Sequence, residues 1–279
     1  MKAILLPTDF SKISINAIHY AIAMFEKESC DFYLLNVQKA SSFISDDMML
    51  MSSSTTIYET LISAAKKSTE NIIAKIKAKY GNENHRFHSI VDYDSLIDSI
   101  NQTSKIHNID LIVMGTKGAS GLESVLLGSN TAHAMQQCNV PVLAIPDGCK
   151  FKGFNKVLFS TSHLSLHGIE ELKPLQYLKS LYGFKLEILH IKDEHNSTNE
   201  VLSNEVLFKK YFSDATYTYM EVSSKKMFEK VSQHIIENKI DLFAIVSTKH
   251  SYLDRLLNRY PVETFGLKIH TPFLVMNKA

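Results

Sequence analysis

Residues 108–114 read NIDLIVM, and residues 239–245 read KIDLFAI. Each stretch contains a short, nearly continuous apolar run, which is typical of a strand buried on both faces of a parallel sheet. Three further pairs of blocks match between the two halves of the chain in the same order, namely 4–9 with 157–162, 32–37 with 186–191, and 140–145 with 271–276. Four matched pairs in one order indicate that the chain is an internal duplication.

Helical patterns lie between these apolar blocks. In the first half, apolar residues recur at helical spacing within three segments, and Ser95 can cap the third; the segments are 16–25, 57–80 and 94–106. The second half repeats the arrangement at 168–181, 205–212 and 225–238. Strands that alternate with helices predict βαβ units and a parallel sheet covered on both faces. We therefore expect an α/β fold of two tandem domains.

The boundary between the two copies is expected at residues 147–155. This stretch contains two glycines and several charged residues, and it separates the last apolar block of one copy from the first block of the next. Linkers of this composition commonly separate domains. We place the two domains at residues 1–147 and 153–279.

The bulk composition is that of an ordinary globular protein. The chain has 279 residues, a net charge of +1 and 45% hydrophobic residues. This charge and the lack of a basic run predict neither nucleic acid nor an anionic membrane as a partner. No apolar stretch approaches the roughly 18 residues of a membrane helix, and the first apolar run is too short for a signal peptide. We expect a cytoplasmic protein.

A glycine-rich segment follows the third apolar block of the first half. Residues 115–131 read GTKGASGLESVLLGSNT. Glycines let the backbone approach a phosphate closely, and Ser129 and Thr131 stand where a helix can begin and offer N–H groups to an anion. Taken alone, the glycines are equally compatible with simple turns and caps. Neither a P-loop nor a GxGxxG pattern is present.

The spacing of these glycines is informative. Two residues separate Gly115 from Gly118, and nine separate Gly118 from the Gly128-Ser129 pair. This motif resembles the nucleotide-binding motif of the ATP-binding universal stress proteins. The opening block, which ends in Pro-Thr-Asp, and the closing block at 139–143 are also similar to that family. The resemblance covers essentially the whole chain in two copies. It implies two Rossmann-like (adenine nucleotide alpha hydrolase-like) domains, each with a mostly parallel five-stranded sheet flanked by helices.

The resemblance also implies roles for residues of the first domain. Asp9, in a loop shaped by Pro7 and Thr8, would contact the adenosine end of ATP, and the backbone of Val37 would hydrogen-bond adenine. The remaining expected contacts line the ribose and the phosphates, with or without magnesium, and are Met114, Gly115, Thr116, Lys117, Gly118, Gly128, Ser129, Asn130 and Thr131. Lys117 is equally compatible with an ordinary exposed lysine.

The second half departs from this pattern. Ser162 stands in place of the aspartate, Ser247 and His250 in place of the first two glycines, and Asn258-Arg259 in place of the glycine–serine pair. A phosphate loop without glycines cannot easily bring its backbone to the ligand. We expect a degenerate domain that binds no ATP in the same manner.

The function implied by the resemblance is that of an ATP-binding regulatory, stress-response factor. The two domains would pair through their last strands within one chain, and a further homodimer of such chains is left open. A nucleotide-independent scaffold or partner-binding protein is an alternative. A slow ATP hydrolase is another, but activity would be weak at most, because beyond Asp9 no general base or magnesium carboxylate stands out.

Overall fold

The computed structural model describes residues 1–38, 54–93, 95–116, 129–161, 170–192, 208–222, 227–247 and 271–277. The strands are β1 Ala3–Pro7, β2 Cys30–Val37, β3 His85–Asp92, β4 Leu111–Thr116, β5 Val142–Pro146, β6 Lys156–Thr161, β7 Lys185–Lys192, β8 Thr216–Glu221, β9 Leu242–Ser247 and β10 Phe273–Asn277. The α-helices with bounds in these ranges are α1 Lys12–Met24, α2 Ser54–Tyr80, α3 Leu96–His107, α4 Ser129–Gln137, α5 Lys173–Tyr182 and α6 Met227–Glu237. No helix in the described ranges is long and apolar enough to cross a membrane.

The ten strands form one sheet in the order β3-β2-β1-β4-β5-β10-β9-β6-β7-β8. Strands β1–β5, the first half, pair in parallel, and so do strands β6–β10, the second half. The two halves meet at an antiparallel pair, in which Leu143 of β5 lies opposite Leu274 of β10. The expected α/β fold with a mostly parallel sheet flanked by helices is confirmed.

Apolar side chains fill both faces of the sheet. One buried cluster lies under α1, α2 and α5 and includes Ile18, Ile76 and Leu175, while the other lies under α3, α4 and α6 and includes Met135 and Val231. Each cluster contains residues from both halves. Since burial of apolar area is the main favourable contribution to folding, the two halves stabilise each other through shared cores.

One aspartate in each half makes the same two hydrogen bonds to the start of a strand. Asp110 Oδ2 accepts the backbone N–H groups of Lys2 and Ala3, at 2.6 and 3.1 Å. Asp241 Oδ2 accepts the equivalent two N–H groups at the start of β6, at 2.7 and 3.0 Å. Both aspartates follow a helix whose end turns through a left-handed residue, Asn108 in one half and Lys239 in the other. The duplication therefore extends to individual hydrogen bonds.

Helix α1 begins earlier than its apolar pattern predicts. The pattern starts at Asn16, but the helix starts at Lys12, because the Ser11 side chain accepts the N–H of Ser14 at 3.2 Å and caps the first turn. The predicted cap of α3 is confirmed, since Ser95 accepts the N–H of Asp98 at 3.2 Å.

Replacing either Asp110 or Asp241 is expected to destabilise the protein. Asp110→Ala or Asp241→Ala removes a charged acceptor from two backbone N–H groups, and each is expected to lower the free energy of unfolding by about 1–3 kcal/mol. Because the two sites lie in different halves, the losses should add in the double variant. Chemical denaturation measures both effects. Asp147→Ala, an exposed aspartate after β5, serves as the control, and equal stability of all variants would contradict the assignment.

Candidate functional site

The candidate site lies at the carboxyl edge of the first half, where the ends of β1, β2 and β4 meet. Strand β1 pairs with β2 on one side and with β4 on the other. The start of α4 joins them, because Thr131 Oγ1 donates to the carbonyl of Gly115 at 3.0 Å. The structure thus brings together the expected residues of four segments. Lys117, Gly118 and Gly128 lie outside the described residues, as does the side chain of Ser129.

Thr8 holds the loop formed by residues 8–11. Its N–H donates to the carbonyl of Leu35 at 2.8 Å, so the loop is tied to β2. Its hydroxyl lies 3.0 Å from the hydroxyl of Ser14 and accepts the N–H of Phe10 at 3.1 Å. The side chain is buried. Thr8 therefore shapes the loop from inside rather than presenting its side chain to a ligand.

Phe10 shows how firmly this loop is held. Its φ of 65° lies in the left-handed region, which costs a residue with a Cβ roughly 1–2 kcal/mol. The bond to the Thr8 hydroxyl helps to hold it there, and Asp9 Oδ1 holds the following residue by accepting the N–H of Ser11 at 3.0 Å. Strained backbone of this kind is commonly found at binding sites.

Asp9 presents an ionised carboxylate to solvent. Its side chain is exposed. Partial burial acts to raise the pKa of Asp9, but hydrogen bonds from Ser11 and Ser14 outweigh this effect and lower the pKa below its usual value. At neutral pH the group is an anionic acceptor of hydrogen bonds, as a sugar hydroxyl requires.

The backbone of Val37 faces the space beyond the end of β1. The carbonyl of Leu35 points towards β1, where it accepts the N–H of Thr8, and the N–H of Gln38 points towards β3, where it donates to Asp92 O at 2.9 Å. Backbone polar groups alternate in direction along a strand, so the N–H and C=O of Val37 point to the β1 side. The last β1–β2 pair is Pro7 with Leu35. These groups therefore lie just past the end of the ladder.

Gly115 is required by packing. A Cβ at this position would lie 2.6 Å from the carbonyl oxygen of Ile13 and 2.7 Å from its Cγ2. Only glycine lets β4 approach the first turn of α1 this closely. The contact that requires a glycine here is with a helix, and the expected contact of Gly115 with a nucleotide stays a prediction.

Thr131 makes a structural contact at the start of α4. It is 2% exposed, and its hydroxyl donates to Gly115 O. The hydroxyl proton is therefore committed to fixing α4 against β4, and a phosphate at this helix end would meet backbone N–H groups instead. Asn130, by contrast, is exposed.

The equivalent edge of the second half differs in two described positions. Leu242 pairs with Val157 of β6 as Leu111 pairs with Ile4 of β1. This register places Val246 in the position of Gly115, which corrects the sequence alignment that put Ser247 there. The same comparison places Ile191 in the position that Val37 has in the first half, and Ile191 is fully buried. Ser162, His250, Asn258 and Arg259 lie outside the described residues.

Comparisons with known proteins identify the family of this chain. The model of the universal stress protein family matches residues 1–146, which end with β5. This chain belongs to the universal stress protein family. A universal stress protein of Methanocaldococcus jannaschii is 27% identical over 144 residues, which are 52% of this chain and 81% of that protein. A second one from the same organism is 24% identical over 152 residues, which cover 52% of this chain and 94% of the relative.

The tandem arrangement has a structural counterpart. The crystal structure of a universal stress protein from Archaeoglobus fulgidus superimposes with a TM-score of 0.72 at 18% identity, covering 99% of this chain and 98% of that chain. At this identity the likeness concerns the fold alone. It extends over both halves, so the two chains share one overall fold.

The packing role of Gly115 can be tested by stability. Gly115→Ala is expected to lower the free energy of unfolding by about 1–3 kcal/mol in the absence of any ligand, because the new methyl group overlaps α1. Adding Ile13→Ala removes the side-chain overlap but not the backbone oxygen, so it should restore only part of the loss. Thermal and chemical denaturation measure this. Unchanged stability of the single variant would show that the glycine has another purpose.

Proposed function

We propose that this universal stress protein binds ATP at the carboxyl edge of β1, β2 and β4 and acts as a regulatory factor in a stress response. The observation that carries the proposal is the position of two complementary groups at one edge. The ionised carboxylate of Asp9 follows the end of β1, and the outward-facing backbone of Val37 ends β2, the strand that pairs with β1. Together they match the ribose hydroxyls and the base edge of an adenosine.

The backbone of Val37 supplies the selectivity for the base. An N–H and a C=O that point the same way complement adenine, whose N1 accepts and whose N6 amino group donates a hydrogen bond. Guanine has the opposite order on the same edge, with a carbonyl at position 6 and an N–H at position 1. A mismatched pair leaves desolvated polar groups without partners, and this disfavours guanine.

The phosphates are assigned to the glycine-rich segment and the start of α4. The bond from Thr131 to Gly115 O supports this assignment, since it brings the N-terminus of α4 to the end of β4. Free N–H groups and the dipole of a helix N-terminus favour an anion. Lys117, Gly118 and Gly128 complete the proposed set, and magnesium would bind mainly through the phosphate oxygens.

ATP is assigned to the first half only. In the sequence of the second half, Ser162 stands in place of Asp9, and Asn258-Arg259 stand in place of Gly128-Ser129. We further propose that residues 1–147 and 153–279 are two domains and that the second serves as a built-in partner of the first. The pairing of β5 with β10 supports this role.

A substitution at Asp9 tests the proposal directly. Asp9→Asn keeps the size of the side chain but replaces the anionic carboxylate by a neutral amide, in which one of the two acceptor oxygens becomes a donor NH2 group. We expect the affinity for ATP to fall at least about tenfold. Isothermal titration with ATP and magnesium measures the change. Glu83→Gln, which neutralises an exposed carboxylate beside the start of β3 at the other edge of the sheet, is the matched control. Equal affinity of Asp9→Asn and wild type would refute the proposed site.

A further inference from the structure

Asn36 is a buried polar residue at the end of an apolar strand. It is 3% exposed and follows the fully buried Leu34 and Leu35 in β2. Burying an amide is unfavourable unless its polar atoms are hydrogen-bonded. Both of its groups have partners, because Nδ2 donates to the carbonyl of Thr8 at 2.7 Å and Oδ1 accepts from Nε2 of Gln38. A carbonyl can only accept, so the orientation of the amide is fixed.

The bond to Thr8 changes the end of the β1–β2 ladder. A regular parallel ladder would make two hydrogen bonds here. The carbonyl of Leu35 would accept the N–H of Thr8, and the N–H of Val37 would donate to the carbonyl of Thr8. The first of these bonds is present at 2.8 Å, but among the described residues Thr8 O is bonded by the Asn36 side chain and not by Val37. The amide replaces one backbone donor at the end of the ladder.

Two consequences follow for the adjoining residues. The N–H of Val37 is left pointing beyond β1, where an adenine edge would lie. Both backbone polar groups of Thr8, its N–H and its C=O, are hydrogen-bonded to β2. These bonds fix the chain one residue before Asp9. Gln38 supports the arrangement, since its side chain holds Asn36 and its backbone N–H is bonded to Asp92 of β3.

We propose that Asn36 is a positioning residue of the nucleotide site, which keeps the Val37 N–H available to the base and sets the position of Asp9. The inference rests on the proposed function for its binding consequences, but the local geometry can be tested without a nucleotide. In the second half His190 occupies the equivalent position, and it is also buried. An imidazole N–H can also donate to a carbonyl, so Asn36→His is a conservative replacement.

The first experiment compares amide hydrogen exchange in wild type and Asn36→Leu. Leucine has nearly the shape of asparagine but no donor, so the carbonyl of Thr8 becomes free to accept the N–H of Val37. The exchange of the Val37 amide is then expected to slow by about tenfold or more, because a new backbone hydrogen bond protects it. Unchanged or faster exchange at Val37 would overturn the geometric part of the inference, whether or not the protein binds ATP.

The second experiment measures affinity for ATP, AMP and adenosine. Asn36→Leu is expected to weaken all three by the same factor of about ten, since the lost contact is at the base and ribose. Gly128→Ala should instead weaken ATP much more than AMP. Asn36→His should recover most of the affinity. Leu34→Ala, a core variant expected to be less stable than Asn36→Leu, controls for instability and should bind like wild type well below its melting temperature.

The outcomes separate the two claims. If wild type binds none of the three ligands, the proposed function fails and the positioning role fails with it, while the exchange of Val37 still reports on the ladder. If wild type binds them and Asn36→Leu binds them equally well, the inference is wrong and the proposed function stands. A loss that also occurs in Leu34→Ala would show that Asn36 acts only through stability.

Discussion

The antiparallel pairing of β5 with β10 joins the two halves by backbone hydrogen bonds at the centre of the sheet. Each half alone would leave a buried, apolar strand as an open edge, which is a template for unwanted pairing. The pairing covers both edges at once and makes the two cores continuous. Side chains reinforce it, because Tyr182 of α5 donates to the carbonyl of Met24 in α1 and Tyr177 donates to Glu28 at 3.0 Å.

This pairing also decides where ligand sites can lie. The strands of one half run antiparallel to those of the other half. The carboxyl ends of the strands in the first half therefore lie at the opposite end of the sheet from the carboxyl ends of the strands in the second half. Each edge can therefore change independently of the other. The second half keeps the strands and Asp241, the counterpart of Asp110, yet it has Ser162 in the sequence position of Asp9. The hydrogen bonds of the aspartate that fold the domain are kept, whereas the carboxylate assigned to the nucleotide is not.

Four strands of each half were predictable because parallel strands buried on both faces are apolar throughout, a signal that needs no knowledge of tertiary contacts. The edge strands β3 and β8 alternate between more and less buried residues and gave no such signal. The cap at Ser95 was predictable, since capping is local. The role of Gly115 was not, because its need for glycine arises from Ile13, which is distant in sequence. Asn36 was missed as well: a single polar residue in an apolar run gives no indication that its amide will meet the carbonyl of Thr8. Its position directly before Val37 was the one available signal.

Counting the adenine nucleotides on the purified protein shows whether the chain has one nucleotide site, in its first half. The protein is saturated with ATP and magnesium, freed of unbound ligand and denatured, and the released nucleotide is quantified by absorbance and mass beside the Gly128→Ala variant. We expect one adenine nucleotide per chain from the wild type and close to none from the variant. Two per chain would show that the second half also binds, and none from the wild type would contradict the nucleotide site itself.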